Sequence, residues 1–196
     1  MRTTHLLYLH GFRSSPQSVK AQIMAKWVQA RHPGVTWWCP QLPASPAQAI
    51  DLLLQGTADW PREEMAVMGS SLGGFYAAWL SAHWGIPAVL INPAVQPSRD
   101  LARHIGEHPV WQDPAQSIFF EPGYVQELIS LESQPLPTCP AKLALIAKGD
   151  LPATMVGTHR RIRFADLQTY QARVSASRSK ALTTLMRETR RHRLGY

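Results

Sequence analysis

The chain has 196 residues, 45% of them hydrophobic, which suits one soluble-type domain with a real core and needs no disulfide staples. No apolar run approaches the roughly 20 residues that cross a bilayer, and the N-terminus lacks a secretory pattern, so a cytoplasmic protein without membrane contact is expected. The net charge of +7 is not spread evenly: residues 1–158 carry a net −1 and residues 159–196 a net +8. The two cysteines, Cys39 and Cys139, have neither CxxC nor metal-ligand spacing, which points to reduced thiols and no metal.

In chain order, Thr4 to Leu9 reads as a buried strand, followed by a polar turn from Phe12 to Ser18. Val19 to Arg31 has helical spacing, with Val19, Ile23, Trp27 and Ala30 on one face, and His32-Pro33-Gly34 stops it. Val35 to Cys39 is a second strand. Pro43 to Gln55 is a second helix, with Ser45 placed to cap it ahead of Pro46. Met65 to Gly69 is a third strand, and a helix runs from Leu72 to about Trp84, where Gly85-Ile86-Pro87 breaks it. Ala88 to Ile91 is a fourth strand, closed by Asn92-Pro93, a turn to which we assign shape rather than chemistry. Residues 96–140 hold helical pieces, many prolines and no clear strand, which suits an inserted helical cap. Lys142 to Ala147 is a fifth strand ending at Lys148-Gly149-Asp150. Strands alternating with helices predict an α/β fold, a mostly parallel sheet covered on both faces. Its ligands would bind at the carboxyl ends of the strands, where His10, Ser71, Asn92 and Asp150 all fall.

Gly69-Ser70-Ser71-Leu72-Gly73 is a G-x-S-x-G set between a strand and a helix, the context of a nucleophile elbow. Glycine at 69 and 73 permits a turn too sharp for side chains, and the turn lifts the Ser71 hydroxyl clear of the sheet. The Leu72 N–H, at the head of the helix, would then face a developing oxyanion. His10-Gly11-Phe12 ends the first strand, and a turn of this HG type supplies the second oxyanion donor in α/β-hydrolases, here the Phe12 N–H. An ordinary turn serine would also satisfy the five-residue pattern; the upstream turn favours a nucleophile. Ser70 competes less well, because only Ser71 has glycines two residues away on both sides. His10 is expected to orient its loop by hydrogen bonds rather than to do chemistry, with Gly11 beside it. Asp150 fits either a turn cap or an acidic partner for a base. The tryptophans, Trp37, Trp38 and Trp79 among them, read as packing residues, while Trp111, Phe119 and Phe120 are candidates to line an acyl pocket.

Tyr8-Leu9-His10-Gly11-Phe12, Ser14-Ser15-Pro16, Pro40-Gln41-Leu42-Pro43, Gly69-Ser70-Ser71-Leu72-Gly73-Gly74-Phe75-Tyr76-Ala77 and Asn92-Pro93-Ala94-Val95-Gln96-Pro97 stand in one order. In that order the chain resembles the small bacterial YqiA-like esterases over about residues 4–150. The resemblance implies a compact α/β-hydrolase that cleaves small carboxylic esters or acyl thioesters without a cofactor. It also implies Ser71 as the nucleophile and Asp150 as the acidic member of a triad. A Gly-x-Asp-His turn that carries the catalytic histidine in that family has no counterpart here. After Asp150 the only histidines are His159 and His192. The sequence therefore divides into a hydrolase domain, residues 1–158, and a basic C-terminal segment, residues 159–196.

Because resemblance and charge balance change in the same region, our hypothesis is that this segment derives from a shifted reading frame; a replaced C-terminus is the alternative. The gene's bases decide: with no frame encoding Gly-x-Asp-His, the hypothesis fails. The Arg-rich end has no recognition motif or interleaved aromatics, so no specific nucleic-acid partner is expected. A catalytically impaired scaffold that binds a ligand or partner is the second functional expectation.

Overall fold

The computed structural model describes residues 3–134 in full and, beyond them, the backbone of three strands at 143–146, 154–156 and 159–161. The chain separates into two compact units, residues 1–148 and residues 149–196.

In the first unit, β1 (His5–Leu9), β2 (Thr36–Trp38), β3 (Met65–Ser70), β4 (Ala88–Ile91) and β7 (Leu143–Ile146) form one sheet in the order β2-β1-β3-β4-β7. Every pairing in it is parallel. The five strands are those read from the sequence, because each is a short apolar run stopped by Gly, Pro or a polar turn. Leu7, Tyr8 and Leu9 are all buried although successive side chains point to opposite faces, so β1 is covered on both sides.

The helices are α1 (Val19–Arg31), α2 (Pro46–Gly56), α3 (Leu72–Trp84), α4 (Pro97–Leu101) and α5 (Pro122–Ser133). Their ends follow the local chemistry. The Ser18 hydroxyl accepts from the Ala21 N–H to start α1, and Ser45 accepts from the Gln48 N–H ahead of Pro46 in α2. Gly85, in the left-handed region at φ 68°, ends α3. Helix α5 then ties two other helix starts with carboxylates. Glu127 Oε2 accepts from the Ser45 hydroxyl (2.8 Å) and the Ala47 N–H (2.9 Å). The Glu132 carboxylate accepts from the Ser98 N–H (2.8 Å) and hydroxyl (2.7 Å) at the head of α4. Each satisfies donors that a helix start leaves open, and each sits at the positive end of a dipole.

Two expectations are corrected. The buried face of α1 is Ala21 and Val28, whereas Val19, Ile23 and Trp27 are 74, 60 and 50% exposed and Ala30 is exposed as well. Apolar residues lie on opposite sides of this helix, so periodicity alone does not choose the inward one. The inserted segment is also not purely helical. β5 (Gly106–Pro109) and β6 (Ser117–Phe120) pair antiparallel as a hairpin, Gly106 opposite Phe120. Four-residue strands, one of them Gly-Glu-His-Pro, give no alternation to read.

Trp37 stacks on Tyr8, Trp38 meets Trp60 edge-on and Trp79 stacks on His83, so the expected packing role holds for all three. Cys39 is a free thiol that burial pushes up to about 12; Cys139 lies outside the described residues. No helix among the described residues is long and apolar enough to cross a membrane, and no cluster of three metal-ligating side chains occurs among them. In the second unit, β8 (Thr154–Val156) and β9 (His159–Arg161) form an antiparallel pair with Val156 opposite His159.

Candidate active site

Ser71 sits between β3 and α3 with φ 54° and ψ −120°, a backbone conformation that a residue with a Cβ adopts only under strain. Three segments hold it there. The Ser71 N–H donates to the Ile91 carbonyl at 3.1 Å, and the Ser71 carbonyl accepts from Gly74, Phe75 and Ala94 N–H groups at 2.9, 3.2 and 2.9 Å. The glycines make the approach possible. A Cβ on Gly69 would overlap the Gly73 carbonyl, and one on Gly73 would overlap the carbonyls of Leu9 and His10. Gly74 lies against Pro93, so the Asn92-Pro93 turn does shape the site, with Asn92 itself at φ 43°.

Ser71 is exposed although its neighbours Ser70 and Leu72 are buried, and its hydroxyl caps nothing in α3. Gly11 lies directly against it: a Cβ added there would stand 3.0 Å from Ser71 Cβ and 3.6 Å from Ser71 Oγ. The turn after β1 and the turn after β3 thus meet at Ser71. The N–H groups of Phe12 and Leu72, one on each turn, have no acceptor among the described residues.

His10 is 3% exposed, and both of its ring nitrogens are committed. Nε2 accepts from the Leu42 N–H at 3.1 Å, which requires the neutral ring, and Nδ1–H donates to the Gly11 carbonyl at 3.0 Å. Burial holds its pKa below the ordinary value, partly opposed by the Gly11 hydrogen bond. These two bonds tie His10 to the turn that follows it and to the Leu42 backbone.

A narrow cleft of about 20 Å³ opens beside the Phe12 and Leu72 N–H groups, bounded by Phe12, Leu42, Pro43, Leu72, Tyr76 and Ile118 among others. The Tyr76 hydroxyl is buried without a partner among the described residues, and burial, then the Glu127 carboxylate, pushes its pKa up, so it stays a neutral donor. The cap contributes Ile118 to this cleft. The three aromatic residues expected there do not line it: Trp111 and Phe119 are 66 and 57% exposed, and Phe120 is fully buried against Phe12 and Tyr124. Alternation across β6 turns Ile118 and Phe120 one way and Phe119 the other.

Arg13, which sequence reasoning passed over, binds the turn after β1 to the inserted segment. It has φ 58°, its Nε donates to the Pro109 carbonyl at 3.1 Å and its guanidinium lies 4.1 Å from the centre of the Trp111 ring. The Trp111 N–H donates back to the Arg13 carbonyl at 2.9 Å. The Phe12 ring in turn meets His104, His108 and Phe120 at 5.8, 5.7 and 5.4 Å between ring centres. Asp150 and His192 lie outside the described residues; His159 begins β9, with only its backbone described.

Solved structures with this architecture are α/β-hydrolases. Mouse alpha/beta hydrolase domain-containing protein 10 matches at a TM-score of 0.51 and 16% identity, over 74% of this chain and 69% of its own. Est1E from Butyrivibrio proteoclasticus, solved with ferulic acid, matches at 0.51 and 11%, over 74% and 68%. At these identities the likeness shows the fold: the chain is an α/β-hydrolase in architecture. At the level of sequence, residues 5–192 match the uncharacterised protein family UPF0227, a match that runs past Asp150 and well into the basic segment. The chain belongs to that family, of which the YqiA-like proteins are members.

Proposed function

We propose that the chain is a serine hydrolase that cleaves small carboxylic esters or acyl thioesters through an acyl-enzyme on Ser71. The observation that carries this reading is the exposed Ser71 hydroxyl at φ 54°, with Gly11 against it and two uncommitted N–H groups on the adjoining turns. Ser71 Oγ attacks the carbonyl carbon as a base removes its proton. The carbonyl oxygen gains the electron pair and is held by the Phe12 and Leu72 N–H groups, one such donor contributing about 3–4 kcal/mol in the transition state. Collapse expels the alcohol or thiol, which takes the proton from the base, and water repeats the sequence to release the acid.

No cofactor enters these steps. Asp150 would orient the base, and His159 and His192 are the histidines that follow it. His10 is unsuited to that task, since both nitrogens are occupied and the ring is held neutral. The α/β-hydrolase architecture of the chain agrees with this chemistry.

The test is hydrolysis of short-chain nitrophenyl esters and acyl thioesters by the full chain and by Ser71→Ala. Loss of at least about 10³-fold in kcat/KM on substitution is expected. The second reading, a scaffold that binds without turning over, rests on the absence of any Asp-His pair after Asp150 in the sequence. It is favoured if both proteins are equally inactive while folded.

A further inference from the structure

A second cleft, of about 230 Å³ and open to solvent, lies on the α1 side of the His10–Gly11 turn and reaches Ser70, the residue before Ser71. Its polar lining comes from Lys20, His10, Gln112, Tyr8, Ser14, Ser18 and Ser70, with no Asp or Glu among the described residues that line it. Lys20 Nζ donates to Ser70 Oγ at 3.2 Å and has no carboxylate partner among the described residues. Gln112 Oε1 accepts from the Ser14 and Ser15 hydroxyls at 3.4 and 3.2 Å, and its amide N–H groups have no acceptor among the described residues.

The cleft also adjoins the start of α1. The first-turn N–H groups of Val19 and Lys20 have no acceptor among the described residues, and no acidic side chain occupies that turn. An independent observation points to a ligand. Tyr8 is 0% exposed, borders this cleft, and its hydroxyl is buried with no hydrogen-bond partner among the described residues. A buried hydroxyl left unpaired carries a desolvation cost that a bound acceptor would offset. One ammonium, a helix start, an amide and an orphan phenol all offer protons, and nothing offers a negative charge.

The geometry points to an oxyanion subsite: this cleft binds the phosphate or carboxylate of a ligand, with Lys20 as its charged contact and Tyr8 as its buried donor. Because Gly11 borders both this cleft and Ser71, a ligand that spans them carries its anion on the α1 side of the reacting group. The subsite stands apart from the hydrolase reading, since Ser71 takes no part in it.

The experiment titrates the full chain with inorganic phosphate and, separately, with acetate, by calorimetry in a chloride buffer of fixed ionic strength. Binding of one or both with millimolar or tighter affinity is expected, and which of them binds names the anion. Lys20→Gln should weaken it about tenfold or more, Lys20→Arg should retain most of it, and Tyr8→Phe should weaken it about threefold or more. Ser71→Ala should leave it unchanged, so failed catalysis with intact, Lys20-dependent binding would overturn the hydrolase proposal and spare this one. Failure of both anions to bind the folded chain would overturn it. So would binding that Lys20→Gln leaves intact, which would come from the basic segment at 159–196. Circular dichroism and the melting temperature of each variant establish folding, and Lys20→Arg keeps the test decisive if Lys20→Gln does not fold.

Discussion

The elbow at Ser71 and the hairpin at 106–120 are both fastened to the turn after β1, and they are fastened by opposite means. At the elbow, backbone meets backbone: Gly69, Gly73 and Gly11 let carbonyls and a serine Cβ come closer than any side chain allows. At the hairpin, side chains reach across nearly 100 positions of sequence, Arg13 to Pro109 and Trp111, Ser14 and Ser15 to Gln112, Phe12 to His108 and Phe120. Contact through bare backbone tolerates no substitution but leaves glycine as its mark. Contact through long side chains tolerates change, and no local pattern announces it.

The largest effect should come from the elbow. Gly73→Ala sets a Cβ into the Leu9 and His10 carbonyls, neither of which can move without breaking β1 from its place. A loss of about 4 kcal/mol or more is expected in urea unfolding, or a chain that does not fold. A stability within 1 kcal/mol of the parent would mean the elbow is looser than described. At the hairpin, Arg13→Ala removes one hydrogen bond and one cation–aromatic contact, and should cost about 1–2 kcal/mol. Hydrogen exchange should then speed up across 106–120 while β3 and α3 stay protected; uniform loss would show that the two regions are not separable.

A smaller effect tests the strain itself. Ser71→Gly should raise stability by about 1 kcal/mol, because glycine adopts φ 54° without its Cβ penalty, and the gain outweighs its extra unfolded-state freedom. Ser71→Ala, which keeps the Cβ, should change little. The smallest effect is the pH dependence of His10. Its folded pKa lies below its unfolded value of 6.5, so the unfolded chain takes up the proton first as pH falls. The contribution of this group to stability is therefore full above about 6.5 and declines on acidification toward the folded pKa. His10→Gln should flatten that part of the pH profile in thermal melts; an unchanged slope would remove His10 as its source.

The same contrast explains what could be read from the chain alone. The five strands of the main sheet, the caps at Ser45 and Gly85, and the meeting of Ser71 with the His10-Gly11-Phe12 turn were all legible, because each depends on glycine, proline or a buried apolar run within a few residues. The inward face of α1 was misread, since the helix carries apolar side chains on two sides and only the sheet selects Ala21 and Val28. The hairpin, the Arg13 clasp and the place of Ile118 in the cleft were hidden because each pairs distant residues. Lys20 carried no signal as a surface lysine, and Tyr8 was read only as part of a strand and its motif, not as a ligand donor. Asp150 and the base stand on sequence alone.

The most direct test of the account is fluorophosphonate labelling of the full folded chain, with peptide mapping and Ser71→Ala as control. The account predicts phosphonylation on the peptide that holds Ser71, and none in the variant. A folded chain that takes no label, or takes it on Ser70 in both proteins, would contradict it.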